Sequence, residues 1–274
     1  MIGLKKAAIR GDIPADVQEC IENFATFDAI ESTNSYLLQV PAPGPGMMNV
    51  AATTNQTSGR GRQGKTWDAP AGSGLCLSVA YTFASHVRDL PALTLALGLA
   101  AREALQELGA RDVQLKWPND LMAGDGKLAG ILTEVQEQTL DGATIVAGIG
   151  VNVDLGEDFL ATSKKEWDRC AIDMKHVCES PPSAGRIAAK LVTRFRTAFR
   201  DYGAQGFAPL AAHWAKYDWL TGRTIQVRTA NNDVTGVASG VADDGALLLQ
   251  TVDEGERRIT SGTIANVDAQ AAGQ

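Results

Sequence analysis

Residues 59–66, GRGRQGKT, carry three cations, Arg60, Arg62 and Lys65, on a glycine-rich segment with no acid before Asp68. Guanidinium and ammonium groups bind phosphate and carboxylate oxygens, and glycines leave the backbone free to close over a ligand. The segment also matches the P-loop pattern G-x-x-x-x-G-K-[ST]. We therefore expect it to hold an anion, as a P-loop or as a closing loop, and a solvated surface loop is the alternative.

The residues around this motif argue against a P-loop. A P-loop follows a strand and opens a helix, because the amides at the helix N-terminus cradle the phosphate. Residues 47–53 form a candidate strand, but Pro70, Gly72 and Gly74 prevent a helix directly after the motif. The alternating apolar run at 75–81 indicates a second strand. The motif therefore predicts a loop between two strands.

Three further stretches carry residues suited to chemistry. Lys116 and Asp120, within KWPND near a strand end, could hold phosphate and Mg²⁺ respectively, or form a simple Asx turn. Lys127 begins a strand, and Gly130 inside it marks either close approach by a ligand or a bulge. Asn152 in an apolar strand needs a hydrogen-bond partner, which structural satisfaction alone would also supply.

The order and spacing of these stretches resemble those of one family, the biotin protein ligases. The matching motifs are STN (32–34), GRGRQGKTW (59–67), KWPNDL (116–121), KLAGIL (127–132) and GIGVNV (148–153). The resemblance implies an α+β fold, with a mixed β-sheet catalytic domain of the biotin/lipoate ligase type that carries helices, plus a small C-terminal SH3-like β-barrel.

The resemblance also implies an ATP-dependent, AMP-forming ligase. Such an enzyme converts biotin and ATP to biotinyl-5′-AMP and pyrophosphate, and then transfers biotin to a lysine of a biotin carboxyl carrier domain of acetyl-CoA carboxylase or a related carboxylase. Biotin and ATP are expected as substrates with Mg²⁺, and no tightly bound prosthetic group is expected. The alternatives are a ligase for lipoate or another acyl acid, and a non-catalytic biotin-binding protein, which would be expected to lose the cations.

Site residues follow from the resemblance, position by position. The expected catalytic residues are Arg62, Lys127 and Lys116. The expected biotin-binding residues are Ser32, Thr33, Asn34, Gln56, Arg60, Gly61, Arg62, Lys127 and Gly130. The expected ATP- and phosphate-binding residues are Gly59, Arg60, Arg62, Lys65, Trp67, Lys116, Asn119 and Asn152, and Asp120 is the expected Mg²⁺ ligand. Lys65 stands where many family members have arginine, and lysine lacks the bidentate fork.

Composition limits the function classes. The net charge of −7 over 274 residues argues against non-specific nucleic-acid binding. Four widely spaced cysteines without a secretory signal predict reduced thiols in a cytoplasmic protein, and no membrane span is expected. Because only 31 residues precede Ser32, we expect no DNA-binding domain. The sequence leaves open whether the protein is a monomer or a homodimer.

Two domains are expected, a biotin/ATP-binding catalytic domain at 1–218 and a small β-barrel at 219–274. Periodicity predicts helices over the segments 16–27, 31–40 (capped by Ser32 or Thr33), 88–110 and 184–202 (closed by Gly203). A hairpin turn at Asp125-Gly126 is expected to join strands at 113–117 and 128–136, while residues 154–182 read as irregular.

Overall fold

The computed structural model describes residues 4–85, 87, 89–139, 142–163 and 170–267. The helices are α1 (Lys6–Gly11), α2 (Ala15–Gln18), α3 (Thr33–Gln39), α4 (Leu90–Glu107), α5 (Glu157–Ser163), α6 (Met174–Val177), α7 (Ala184–Gln205) and α8 (Ala208–Ala215). The strands are β1 (Ile21–Phe27), β2 (Met48–Thr53), β3 (Gly74–Thr82), β4 (Val113–Lys116), β5 (Asp120–Ala123), β6 (Gly126–Gln138), β7 (Ala143–Asn152), β8 (Thr224–Arg228), β9 (Asp233–Val241), β10 (Leu247–Thr251), β11 (Gly255–Ile259) and β12 (Thr263–Val267).

The first seven strands form one mixed sheet in the order β1-β2-β3-β7-β6-β5-β4. The β1–β2 pair is parallel and the other neighbours are antiparallel. Helices α4 and α7 pack against each other and against one face of the sheet, and α3 lies against β2, β3 and β7. Strands β3 and β7 lie at the centre of the sheet and are buried along nearly their whole length. The α+β mixed-sheet prediction is confirmed.

The helix predicted at 16–27 is wrong over most of its length. Helix α2 ends at Gln18, and Ile21–Phe27 forms the edge strand β1. Strand β1 pairs with β2 in parallel and buries Ile21 and Phe24. Pairing with a strand about 27 residues away along the chain (Ile21 with Met48) overrides a local helical pattern, as tertiary context commonly does.

The hairpin prediction is wrong in its partners. The turn at Asp125-Gly126 joins β5 to β6, and the unpredicted β5 also pairs with β4. The chain reverses directly after β4, so that Lys116 lies opposite Asp120. Four residues are too few for a periodicity to identify β5 as a strand.

The predicted start of α3 is confirmed, and the predicted end of α7 is wrong. Ser32 is the N-cap of α3, because its side chain accepts a hydrogen bond from the Ser35 amide. Helix α7 continues past Gly203 to Gln205 and is capped by Gly206, whose φ of +68° suits a glycine. Gly203 has another function, since a Cβ there would lie 3.1 Å from Phe83. The segment at 154–182 contains α5 and α6, and residues 164–169 lie outside the described part.

The last five strands form an antiparallel sheet in the order β11-β10-β9-β8-β12. A sheet this small needs another surface to pack against. Trp117 donates from Nε1 to the carbonyl oxygen of Gly245 at 3.1 Å, and Gly245 lies against Ala92 and Leu95 of α4. The small sheet therefore docks directly on the larger domain, while the division at 218/219 stays a prediction.

None of the helices in the described ranges is both long and apolar enough to cross a bilayer.

Candidate functional site

A cavity of about 860 Å³ opens on the face of the large sheet that carries α3. Its walls come from β3, β6 and β7, the loop at 59–67 and the first residues of β12. The predicted site residues that line it are Ser32, Thr33, Asn34, Gln56, Arg60, Gly61, Arg62, Lys65, Trp67, Lys116, Asn119, Asp120, Lys127, Gly130 and Asn152. Gly59 is outside the lining: a Cβ there would lie 2.3 Å from the carbonyl oxygen of Trp67, so its lack of a side chain serves the loop itself.

Two cations and one carboxylate face each other in the cavity. Lys127 Nζ lies 2.6 Å from Asp120 Oδ1. Arg62 donates to Asn119 Oδ1 at 3.5 Å. Burial lowers the pKa of the Arg62 guanidinium from its ordinary value, and the Asp120 carboxylate partly offsets this. Asp120 is therefore an internal counter-ion to the positive charge of Lys127 and Arg62.

The donor set does not fit a metal site built by the protein alone. Within the described residues, no three His, Cys, Asp or Glu side chains come close enough to hold a metal ion. The predicted Mg²⁺ ligand, Asp120, is engaged by Lys127. The assignment of Mg²⁺ to Asp120 stays a prediction.

The Trp67 indole packs directly against two glycines, Gly150 and Gly130. A Cβ at Gly150 would lie 2.3 Å from the Trp67 indole, and one at Gly130 would lie 3.2 Å from it. Lys127 Nζ lies 5.5 Å from the centre of the indole ring. Gly130 therefore makes room for the side chains of Lys127 and Trp67, and its role in binding a ligand stays a prediction.

One end of the cavity is lined by a chain of polar side chains. The Thr33 amide donates to Gln56 Oε1 at 2.8 Å, and Thr33 Oγ1 lies 2.7 Å from Ser78 Oγ. Ser78 donates to Asn34 Oδ1 at 2.6 Å, and the Asn34 amide fills the space that a side chain at Gly148 would need. Ser78 was missed by sequence reasoning, although a serine in the otherwise apolar β3 was a signal for a buried polar contact.

Asn152 and Lys116 have partners in the protein. Asn152 donates to the carbonyl oxygens of Lys127 and Ile172 at 3.0 and 3.1 Å, so structural satisfaction accounts for its position. Lys116 Nζ lies 5.4 Å from the ring centre of Trp219. Their roles toward a nucleotide stay predictions.

The loop is held from two sides. Arg60 donates to Glu134 Oε1 of β6 at 2.6 Å. The loop continues through a 3-10 turn (Arg62–Gly64), in which Gln63 has a φ of +53° and accepts a hydrogen bond from Thr263 of β12. The next regular element is β3, so the prediction of a strand rather than a P-loop helix is confirmed.

Replacing Thr263 by valine removes the hydroxyl that holds the loop while keeping the shape of the side chain. A net hydrogen bond contributes about 1 kcal/mol, so in the ATP-dependent reaction that the sequence resemblance implies we expect the KM for ATP to rise about fivefold. Steady-state kinetics of the adenylation step measures this KM. Thr235→Val, at an exposed position of β9, is the matched control. An unchanged KM in the Thr263 variant would contradict a role for this contact.

Cys76 is a buried thiol in the cavity wall. Burial raises the pKa of the thiol to about 12. At neutral pH the reactive thiolate is therefore nearly absent, and it forms only as the pH approaches that value. We expect iodoacetamide at neutral pH to modify Cys20 in the folded protein, and Cys76 only after denaturation, as read by peptide mass spectrometry. Equal rates at both cysteines would contradict this expectation.

Two family sequence models match the chain. The biotin/lipoate A/B protein ligase family matches residues 26–152, and the biotin protein ligase C-terminal domain matches residues 221–265. The bifunctional ligase/repressor BirA of Salmonella typhimurium is 33% identical over 232 residues, which cover 83% of this chain and 69% of that protein. The biotin–[acetyl-CoA-carboxylase] ligase of Mycobacterium tuberculosis is 32% identical over 228 residues, covering 80% and 79%.

A solved structure with the same fold is that of the biotin protein ligase from Aquifex aeolicus in complex with biotin and ATP. It superimposes with a TM-score of 0.72 at 24% sequence identity, covering 90% of this chain and 99% of that one. At this identity the superposition supports the fold, including the predicted pairing of a mixed sheet with a small C-terminal β-module.

Proposed function

The chain belongs to the biotin protein ligases, and from this membership we propose that it activates biotin with ATP and transfers it to a carrier protein. In the first step a biotin carboxylate oxygen attacks the α-phosphorus of ATP. A P–O bond forms, the bond to the β-phosphate oxygen breaks, and pyrophosphate leaves. In the second step a neutral lysine amine of the acceptor attacks the carbonyl carbon of biotinyl-5′-AMP. An amide C–N bond forms, the C–O bond to AMP breaks, AMP leaves with the bonding electrons, and the nitrogen releases a proton to water.

The first step brings two anions together, so its main requirement is fixed positive charge. Lys127 and Arg62 stand inside the cavity, and Arg60, Lys65 and Lys116 also line it. Preorganised cations stabilise the charge that develops on the phosphate in the transition state. We assign Lys127 to the biotin carboxylate and Arg62 to the α-phosphate. When biotin binds, its carboxylate can replace Asp120 as the partner of Lys127.

The opposite end of the cavity suits the ureido ring of biotin. Thr33, Gln56 and Ser78 place hydroxyl and amide groups in a cavity that also has apolar walls, including Ile131 and Ile149. An apolar pocket with a few placed polar groups fits a bicyclic ring that has one polar edge. The loop at 59–67 covers the site, and it shields the mixed anhydride from water.

The single observation that carries this proposal is that one cavity combines the cation pair Lys127 and Arg62 with the polar end at Thr33 and Gln56. A non-catalytic binding protein has no need for the cations. The acceptor is proposed to be a biotin carboxyl carrier domain, in line with the acetyl-CoA carboxylase in the name of the mycobacterial relative. The absence of DNA binding stays a prediction, which a mobility-shift assay tests.

Pyrophosphate–ATP exchange tests the proposal. The purified protein is assayed with Mg²⁺ and without acceptor, in the presence of biotin, of lipoate, or of neither acid. We expect exchange with biotin only. Exchange with lipoate alone would show that lipoate, and not biotin, is the substrate. Exchange with neither acid, in protein shown to be folded, would overturn the proposed adenylation chemistry.

A further inference from the structure

Lys116 ends β4, the outermost strand of the large sheet, and the segment that links the two sheets pairs with this strand. The Leu115 amide donates to the carbonyl oxygen of Tyr217 at 2.8 Å, and the Trp219 amide donates to that of Leu115 at 2.8 Å. Residues 217–219 therefore run parallel to β4 along its outer edge. The linker between α8 and β8 is thus fixed next to a lysine of the predicted site.

The Trp219 indole is held in place by contacts outside the cavity lining. Trp219 is 6% exposed, and its Nε1 donates to the carbonyl oxygen of Gly124, in the turn after β5, at 2.9 Å. The guanidinium carbon of Arg223, directly before β8, lies 3.9 Å from the ring centre, close enough for a cation–π contact. The ring is therefore a preformed surface that the linker, the turn and the small sheet fix together.

This fixed ring contacts a flexible side chain. A lysine side chain has four rotatable bonds, and holding its ammonium group in one place costs conformational entropy. Lys116 Nζ lies 5.4 Å from the centre of the Trp219 ring, within the range in which the face of an aromatic ring attracts a cation. The same lysine lines the cavity, so the ring restrains a cavity cation from outside the cavity.

We propose that Trp219 is a positioning residue for Lys116, and that through this contact the linker between the two sheets contributes to ATP binding and adenylation. The inference rests on the proposed function, in which cations of the cavity stabilise the phosphate charge. A cation that is in place before the reaction needs no reorganisation, so it stabilises the transition state more than a mobile one. Trp219 acts through Lys116 and need not touch the ligand.

A double-mutant cycle in biotin-dependent pyrophosphate–ATP exchange tests the inference. A cation–π contact at a partly buried site corresponds to about a tenfold effect, so Trp219→Leu should lower kcat/KM for ATP about tenfold while KM for biotin stays within about twofold. Lys116→Met should lower kcat/KM for ATP about 100-fold. In the Lys116→Met background, Trp219→Leu should have less than about a twofold further effect, because the cation that the ring holds is gone.

Two further variants separate the aromatic face from the space that it fills. Trp219→Phe keeps an aromatic ring but loses the hydrogen bond to Gly124, and its kcat/KM for ATP should stay within about threefold of that of the unaltered protein. Phe195→Leu is the control for a truncated aromatic side chain in the core. Phe195 is fully buried in α7 beside Phe199 and lies outside the cavity lining, so its replacement should change exchange less than about twofold in folded protein.

Fluorination of the ring provides a second test that does not depend on the folding of Trp219→Leu. A tryptophan fluorinated on its benzene ring, placed at position 219 by nonsense suppression, has nearly the same shape and keeps its N–H. The fluorines withdraw negative charge from the face of the ring and so weaken its attraction for a cation. This residue should lower kcat/KM for ATP about fivefold, and less than about twofold in the Lys116→Met background.

Equal losses from a change at Trp219 in the two backgrounds would indicate a purely structural role and would overturn the inference. Exchange by Lys116→Met at the rate of the unaltered protein would overturn it as well. Either result would leave the proposed function intact, because the unaltered protein would still show biotin-dependent exchange. Absence of that exchange in the folded, unaltered protein would overturn the proposed function too.

Discussion

Replacing Lys127 by methionine is expected to lower the kcat/KM of biotin-dependent pyrophosphate–ATP exchange by about 10²- to 10³-fold. The substitution removes the cation assigned to the biotin carboxylate. It also leaves Asp120, which lies 2.6 Å from Lys127 Nζ, without its ion-pair partner and facing the incoming carboxylate. The variant is therefore expected to suffer both a lost attraction and a new repulsion.

The double variant Lys127→Met with Asp120→Asn separates these two effects. Removing the repelling charge should restore activity about tenfold relative to Lys127→Met alone, because the two residues interact directly. Lys175→Met is the matched control, since Lys175 forms an exposed ion pair with Asp154 at 3.2 Å outside the cavity lining. Exchange in Lys127→Met within threefold of the unaltered protein would remove Lys127 from the reaction.

Replacing Gly150 by alanine is expected to lower the same exchange activity about 100-fold with little change in Tm. The new Cβ would lie 2.3 Å from the Trp67 indole, whereas ordinary carbon contacts are about 3.5–4.0 Å. The indole must move by about 1 Å or more, and a displacement of that size in a catalytic site can cost about 10²-fold. Stability should change little, because Trp67 is half-buried and lies in a loop outside the helices and strands that form the core.

Gly11→Ala is the control for the loss of a glycine, since a Cβ there meets no atom within 4 Å. Thermal unfolding and exchange kinetics are measured for both variants. A Gly150→Ala protein that retains full activity would show that the position of the Trp67 indole against Gly150 does not matter for adenylation.

Local sequence patterns identified much of the cavity. The cations of the 59–67 loop, Lys116 and Lys127 all line one cavity, although they come from separate segments. Most of these cations could be singled out in the sequence because they stand beside glycines in a chain whose net charge is negative. Their roles in binding and catalysis stay predictions.

The missed features depend on partners distant in the chain. Ser78 and Glu134 lie in strands, and the sequence around each of them does not indicate a role. Both hydrogen-bond to Asn34, and this contact is visible only in the folded structure. Thr263 is separated by 200 residues from Gln63, which it contacts. Strand β1 was read as a helix for the same reason, since its pairing with β2 is not encoded in its own periodicity.

The contribution of β12 to the cavity has a consequence for synthesis. Gly262, Thr263 and Ile264 line a cavity whose other walls come from residues 32–171. A nascent chain is threaded out of the ribosome from its N-terminus, so the large sheet can fold before this last wall exists. The cavity therefore acquires its complete enclosure only when translation has delivered β12, and an immature chain lacks a wall that would help to retain the proposed adenylate.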